Sequence, residues 1–144
     1  MKKLFFLVFL LCLAGITVQA QQRKVLFEEF TSSTCGPCAS MNSWLNPLLA
    51  ANADKVVVVK YQMNWPGAGD PYYTPEGGTR RSYYGVNAVP DPYTNGVYTG
   101  SQSAIQNAIN NGYAQPAQAD ITGTFKVNGN NITITGSVTP LISG

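Results

Sequence analysis

Apolar and polar positions along the first third of the chain follow two periods, which together predict an α/β body. Residues 25–30 are mostly branched or aromatic and precede turn formers, which predicts a strand. From Gly36 to about Ala51, apolar side chains recur every three or four positions and give a helix one apolar face. Residues 56–59 are an unbroken run of valines, typical of a strand covered on both faces in a parallel sheet. We therefore expect a βαβ unit.

The next segment carries turn and cap signals. Residues 64–78 hold too many glycines and prolines for regular structure, so a long loop is expected across most of them. Thr74 can cap a short helix with Pro75 at its first position. This helix would run to Tyr84 and end at Gly85.

Two further elements follow before the pattern changes. Asn95-Gly96 predicts a two-residue hairpin turn. Ser101 is placed to cap a last helix, which Gly112 would close. The apolar face of that helix consists of Ala104, Ile105, Ala108 and Ile109.

Residues 121–138 alternate apolar and polar positions with the period of a strand. Two such runs flank the segment NGNN and predict an antiparallel hairpin; their apolar members are Ile121, Phe125, Val127, Ile132, Ile134 and Val138. A two-stranded ribbon alone is barely stable in water, so it would lie on the α/β body or start a further β-rich region, such as a β-sandwich domain. We expect domains at 21–113 and 114–144, and the front part of a longer protein.

The first 20 residues have the layout of a secretory signal peptide, with two lysines, an apolar run and small residues before the expected cleavage after Ala20. The apolar run, Leu4 to Leu13, covers about ten residues, whereas about 20 are needed for a helix to cross a bilayer. A permanent membrane span is therefore the poorer interpretation. Cys12 lies inside this run and would leave with it. We expect export to the periplasm or the outer membrane.

Charge excludes one class of partner. Loss of residues 1–20 removes two of the nine basic side chains and none of the seven acidic ones, so the mature chain has no formal net charge. Its basic residues are scattered, whereas a phosphate backbone requires a concentrated positive face. Nucleic acid is not an expected partner.

Cys35 and Cys38 are the two cysteines of the mature chain, and several kinds of site are open to such a pair. A zinc site needs about four ligands, and the chain has no histidine, so no metal is expected. A c-type haem site would need histidine directly after Cys38, where Ala39 stands. A passive disulfide is the remaining alternative, but a loop this short gains only about 2 kcal/mol in the loop-entropy model. A redox-active pair is favoured.

The placement of Cys35 supplies the physical case for redox chemistry. Its sulfur would face unpaired N–H groups and the positive end of a helix dipole, both of which favour a thiolate. Lowering a thiol pKa from about 8.5 to about 7 raises the ionised fraction at neutral pH from about 3% to about half. Pro37 would fix the first helical turn, and Cys38 would lie one turn further along. Cys38 is then placed to attack a mixed disulfide formed by Cys35.

The segments VLFEEFTSSTCGPC and YGVNAVPDPY resemble the active-site and cis-proline segments of the thioredoxin superfamily. With the predicted βαβ unit, hairpin and last helix, the resemblance covers about residues 23–112. It implies an α/β, three-layer thioredoxin-like fold with the β-hairpin tail appended. It also implies that Cys35 is the nucleophile and Cys38 the resolving thiol, so that their disulfide takes the place of a cofactor.

The resemblance implies a proton relay as well. Glu29, six residues before Cys35, matches a buried acid that serves the resolving cysteine. Glu28 is the other candidate, because strand alternation directs only one of the two carboxylates inward. A solvated charge on the strand is the alternative for either residue.

Further positions match the substrate-binding side of the family's site. Pro90 would be the cis-proline that faces the disulfide, and the backbone of Val89 would bind an extended substrate segment. Gly36 and Pro37 would complete that contact. The family's usual tryptophan before the first cysteine is Thr34 here, which removes an aromatic wall beside the sulfur. Asp91 and Pro92 are a poor start for the strand expected next, because proline cannot donate to a ladder.

The sequence therefore predicts an exported thiol–disulfide oxidoreductase that acts on protein thiols or disulfides, in a direction that it leaves open. A weaker resemblance to outer-membrane-associated thioredoxin-like proteins of Gram-negative bacteria implies envelope association. The alternative is a redox-inactive binding or assembly module of the same fold. The aromatic residues between 65 and 93 would line a binding rim or, as the favoured interpretation, pack the long loop onto the body.

Overall fold

The structure is a computed structural model that describes residues 22–142. The expected signal peptide at 1–20 lies outside the described residues. Six strands and three helices follow one another in the order β1 Val25–Thr31, α1 Gly36–Ala51, β2 Val56–Gln62, α2 Pro75–Tyr84, β3 Asp91–Thr94, β4 Val97–Tyr98, α3 Gln102–Tyr113, β5 Ala119–Asn128 and β6 Asn131–Pro140. Within residues 22–142, every helix is too short or too polar to cross a bilayer.

The first four strands form one mixed sheet in the order β2-β1-β3-β4. β1 pairs in parallel with β2, as the predicted βαβ unit requires, and antiparallel with β3. One face of the sheet packs against α1 and α3 through a core that includes Phe27, Leu45 and Ile105. The other face packs a second apolar cluster around Phe30, including Tyr84 of α2. Helices therefore cover both faces, and the predicted three-layer α/β fold is confirmed.

Local cap and turn signals are confirmed at several positions. The hydroxyl of Thr74 accepts a hydrogen bond from the Gly77 N–H at 3.1 Å and caps α2. Gly85 ends that helix in the left-handed conformation, with φ of 68°. Asn95 and Gly96 join β3 to β4, both with positive φ. Short-range chemistry was sufficient to place these ends.

The valine run of β2 does not form a strand covered on both faces, and that prediction is wrong. Val57 and Val58 are 51% and 40% exposed. The cause is the strand order, because β2 is the outer strand beside β1. Burial on both faces is instead found at β1, in the middle of the sheet.

Two other expectations need correction. Gly112 does not close α3 but lies inside it, where a Cβ atom would come within 2.9 Å of Val25 Cγ2. Glycine is therefore needed there for close helix–sheet packing. Pro92 does lie in a strand, opposite Glu29 of β1. The ladder tolerates it because Pro92 is needed there only as an acceptor: its carbonyl accepts from the Thr99 N–H at 2.9 Å, just past β4.

The predicted tail hairpin is present as β5 and β6, joined through Gly129. Register places its apolar residues on one face, with Phe125 opposite Ile134. Both side chains are largely exposed, so this face does not pack on the α/β body. The prediction that the hairpin packs on the α/β body is thus wrong. A further β-rich region remains a prediction, as do the domain boundaries.

Candidate redox site

Cys35 and Cys38 form a disulfide at the start of α1, with their sulfurs 2.05 Å apart. Cys35 is the N-cap residue, and the N–H of Cys38 points at its sulfur at 3.1 Å. Gly36 and Pro37, between the two cysteines, are exposed, whereas Cys35 is 3% exposed. The sulfur thus occupies the position of an N-cap oxygen, where orphan N–H groups favour a negative charge.

The segment before β3 lies against the disulfide. The carbonyl oxygen of Val89 is 3.5 Å from Sγ of Cys35, and the Val89–Pro90 bond is cis. The expected cis bond at Pro90 is therefore present, and 54 residues of sequence separate the two contacting groups. Folding brings together the two segments on which the family resemblance depends.

Glu29 is fully buried in β1 and lies on the same side of that strand as Phe27, which packs with α1. Lys60 Nζ lies 2.7 Å from Oε2 of Glu29, outside hydrogen-bond angles, so the contact is an ion pair. The same ammonium donates to the side-chain oxygens of Asn42 and Asn46 in α1. Burial raises the pKa of Glu29 despite Lys60. Asn42 lies one helical turn beyond Cys38, so Glu29 belongs to the layer that contains Cys38.

Glu28 corrects the expectation that one of the two acids would be inward, because it is buried as well, at 1% exposure. β1 is covered on both faces, so alternation sends the two carboxylates into different layers. Arg80 donates to both oxygens of Glu28 at 2.7 and 2.9 Å, and Tyr84 and Tyr61 donate to them also. Burial acts to raise the pKa of Glu28, but these hydrogen bonds outweigh it and hold the pKa below its usual value.

No local pattern predicts that Glu28 and Glu29 are both buried, since the partners of Glu28 come from α2 and β2. Arg80 also lies over the rings of Tyr83 and Tyr84, with its guanidinium carbon 4.9 and 4.8 Å from their centroids. Hydrogen bonding to Glu28 and burial raise the pKa of Tyr84 to about 12, burial being the larger cause. The phenol therefore stays protonated and donates.

The long loop contacts the turn before Cys35. The Ser33 N–H donates to Asp70 Oδ2 at 2.7 Å, and the Thr34 hydroxyl donates to the Pro66 carbonyl at 2.6 Å. Thr34, which stands in place of the family's tryptophan, thus has a polar partner of its own. Within the described chain, no three histidine, cysteine or acidic side chains are grouped to hold a metal ion.

The aromatic residues between 65 and 93 divide into two groups. Trp65, Tyr84 and Tyr93 pack around Phe30 and Val86, which agrees with the favoured interpretation that they fix the loop to the body. Tyr72 and Tyr83 are mostly exposed. The alternative of a binding rim is therefore reduced to these two rings, of which Tyr83 also packs edge-on against Tyr84.

No protein-family model matches the chain, and no curated protein matches it at a significant level. A solved structure from Agrobacterium tumefaciens is 22% identical, with a TM-score of 0.50 over 79% of this chain and 56% of its own. The germline-specific thioredoxin Deadhead of Drosophila melanogaster is 20% identical, with a TM-score of 0.37 over 54% and 62%. Tryparedoxin II of C. fasciculata is 19% identical, with a TM-score of 0.39 over 67% and 70%. The chain spans less than two thirds of the first two structures.

The mixed sheet with helices on both faces, the cysteine pair at the start of α1 and the cis-proline segment against it have the arrangement of a thioredoxin-like fold. A cysteine pair with two residues between its members at a helix start, on this fold, indicates thiol–disulfide redox chemistry in general terms.

Proposed function

We propose that the protein is an exported thiol–disulfide oxidoreductase in which Cys35 attacks and Cys38 resolves a mixed disulfide with protein substrates. The observation that carries this proposal is the N-cap position of Cys35, whose sulfur meets the Cys38 N–H at 3.1 Å. A thiolate formed there on reduction gains from that N–H and from the helix dipole. Both effects make Cys35 a better leaving group.

In the reducing direction, the Cys35 thiolate attacks one sulfur of a substrate disulfide and releases the other sulfur as a thiolate. The Cys38 thiol then loses its proton to Glu29 and attacks Cys35, which releases the second substrate thiolate. Two electrons pass from the cysteine pair to the substrate, and the Cys35–Cys38 disulfide forms again. The oxidising direction reverses each step. Burial raises the pKa of Glu29, which suits a proton acceptor near neutral pH.

Four residues around the disulfide would bind the substrate. Gly36 and Pro37 are exposed beside the cysteines, and Val89 and the cis Pro90 form the opposite wall. An extended substrate segment laid along Val89 would use backbone hydrogen bonds, which are independent of the substrate's sequence. The partners proposed are therefore protein thiols and disulfides as a class.

Export to the periplasm or the outer membrane is part of the proposal, and the pattern of residues 1–20 supports the export step. Comparing cell fractions for the full chain and for a chain without residues 2–20 would test it. The full chain is expected outside the cytoplasm and shortened by 20 residues. A full-length protein in the cytoplasm would contradict it.

A second candidate is a binding or assembly module of the envelope that keeps the disulfide closed. The near-burial of Cys35, at 3% exposure, favours it, because attack requires the sulfur to reach a substrate. This candidate predicts full stability and partner binding without turnover.

Insulin reduction in the presence of dithiothreitol separates the two candidates. Cys35→Ser is expected to lower the catalysed rate to the background rate. Reduced Cys38→Ser, freed of dithiothreitol before insulin is added, is expected to accumulate a mixed disulfide with insulin. Ser40→Ala is the matched control, because it removes a hydroxyl from an exposed position of the same helix. Equal rates for the native chain and Cys35→Ser would reject the oxidoreductase and favour the binding module.

A further inference from the structure

The turn that leads from β1 to Cys35 is held from outside by the long loop. Ser33 and Thr34, the two residues before Cys35, each donate one hydrogen bond to that loop, to Asp70 and to Pro66. Inside the turn, the Cys35 N–H donates to the Ser32 carbonyl at 3.1 Å. The position of the attacking sulfur thus depends on contacts with residues more than thirty positions away.

Asp70 is itself fixed to the end of the sheet. Its N–H donates to the Met63 carbonyl at 2.9 Å, and the Met63 N–H donates to the Thr31 carbonyl at 2.8 Å. Gly69, next to it, has φ of 77°, and a Cβ atom there would lie 2.5 Å from the Asn64 carbonyl carbon. The loop therefore closes on its own backbone just before Asp70. The carboxylate is held at a defined place beside the turn.

The charge of Asp70 is held without a cation. Its side chain is 8% exposed and accepts from the Tyr72 and Ser33 N–H groups, at 2.9 and 2.7 Å, and these bonds lower its pKa. The other two buried acids of the neighbouring strand pair with Lys60 and Arg80. Among residues 22–142, Asp70 forms no ion pair. The Asp70 carboxylate, which has no cation partner among these residues, is thus hydrogen-bonded to Ser33, two residues before Cys35.

We propose that Asp70 is a positioning residue for the redox reaction, which holds the Ser33–Cys35 turn and, through its charge, favours the disulfide over the reduced pair. This inference rests on the proposed function in that it concerns the same two cysteines. The disulfide is neutral, whereas the reduced form carries a thiolate at Cys35 that a nearby negative charge repels. Removing the charge is therefore expected to stabilise the reduced form.

Equilibration with a glutathione buffer, followed by alkylation and mass analysis, measures this balance. Two glutathione thiols are oxidised to glutathione disulfide while the Cys35–Cys38 bond gains two electrons and two protons. For Asp70→Asn, the ratio of dithiol to disulfide is expected to rise about threefold to tenfold, tenfold being about 30 mV. The midpoint pH for alkylation of Cys35 is expected to fall as well. Both readouts respond to charge and not to fold stability alone.

Two further variants serve as controls. Asp54→Asn removes the same charge from the exposed turn at the other end of α1 and is expected to leave the ratio within twofold. Thr34→Val removes the hydrogen bond to Pro66 without a change of charge, and should leave the alkylation midpoint unchanged. Asp70→Ser is a second neutral variant, for use if Asp70→Asn does not fold by circular dichroism.

A folded, neutral Asp70 variant with the same ratio as Asp54→Asn would overturn the inference, as would a shift toward the disulfide. The equilibrium involves the protein's own cysteines and needs no protein substrate. An inactive native protein with the expected shift would therefore reject the proposed function and keep the inference. An active native protein without the shift would keep the proposed function and reject the inference.

Discussion

Glu28 and Glu29 are consecutive residues of β1, yet both carboxylates are buried, on opposite faces of the sheet, with Arg80 and Lys60 as their respective cations. The strand is covered on both sides, so each face contains one acid. The hydrogen bonds of the two acids differ, and so do the directions in which their pKa values move. We therefore expect one acid to serve stability and the other to serve proton transfer.

Glu28→Gln is expected to lower the free energy of unfolding by about 2–3 kcal/mol, because it leaves Arg80 without its carboxylate. Losing one partner of a buried pair costs about 3–5 kcal/mol, and water relieves part of this since the Arg80 side chain is 35% exposed. Urea unfolding measures the change. Glu76→Gln, at an exposed position in the first turn of α2, should cost less than about 1 kcal/mol. Equal costs for the two variants would contradict this assignment.

Acid should remove the contribution of Glu28. Its folded-state pKa lies below the usual 4.5, so the stability it contributes is fully present above about pH 4.5 and is lost as the pH falls through the folded-state pKa. Urea midpoints measured from pH 6 to pH 2 should therefore fall more steeply for the native chain than for Glu28→Gln. Parallel curves would show that this carboxylate is not specifically stabilised.

Glu29→Gln is expected to slow resolution of the mixed disulfide at least about tenfold, because the proposed proton acceptor for Cys38 is removed. Burial raises the pKa of Glu29, so the native rate should fall as the pH drops through a value above 4.5, and the variant should lack this inflection. The effect of pH on stability has the opposite sign to that of Glu28. The stability gained by protonating Glu29 is present at low pH and is lost as the pH rises through its folded-state pKa. Stopped-flow thiol exchange provides the rates.

Glu28→Gln is the matched control for that experiment, because it removes the neighbouring charge from the other face. Its rate of resolution should stay within about threefold of the native rate, a difference below about 0.7 kcal/mol. If both variants slowed resolution equally, a general loss of charge in β1 would explain the effect, and the relay through Glu29 would be rejected.

Gly112→Ala is expected to destabilise the protein by about 1–3 kcal/mol, although alanine is the better helix former. The new Cβ atom would lie 2.9 Å from Val25 Cγ2 and 2.8 Å from Asn95 Nδ2. Gly77→Ala in α2 is the matched control, since its Cβ atom would meet its neighbours at 3.5 Å or more. That variant should be neutral or more stable by up to about 1 kcal/mol. A thermal melt of each variant decides between these outcomes.

The exposed face of the tail hairpin should contribute little to stability. Replacing Phe125 and Ile134 by threonine is expected to change the free energy of unfolding by less than about 0.5 kcal/mol each, because neither side chain is buried. Binding of a hydrophobic dye should fall in the same variants. Ile109→Val, in the fully buried core, is the comparison and should cost about 0.5–1.5 kcal/mol. A large cost at Phe125 would mean that the hairpin is packed in solution.

Features set by short-range chemistry could be predicted from the sequence. The bounds of α1, the Thr74 cap with Pro75, the turn at Asn95-Gly96 and the place of Cys35 before a helix all depend on residues within a few positions of one another. The parallel pairing of β1 with β2 followed from the length of the connection between them. The exposure of β2 could not be predicted in the same way. Val57 and Val58 are exposed because they lie in an outer strand, and strand order is not a local property.

The amino-acid sequence alone determined the cysteine pair, its helix and the βαβ unit, because these follow from periodicity, caps and turns. Tertiary structure decided what surrounds the pair. The Glu28–Arg80 ion pair joins residues 52 positions apart, and the Asp70–Ser33 hydrogen bond joins residues 37 apart. The packing of layers and loops decides such partners. The sequence alone does not distinguish a solvated carboxylate from one that is paired with a cation or accepts from backbone N–H groups.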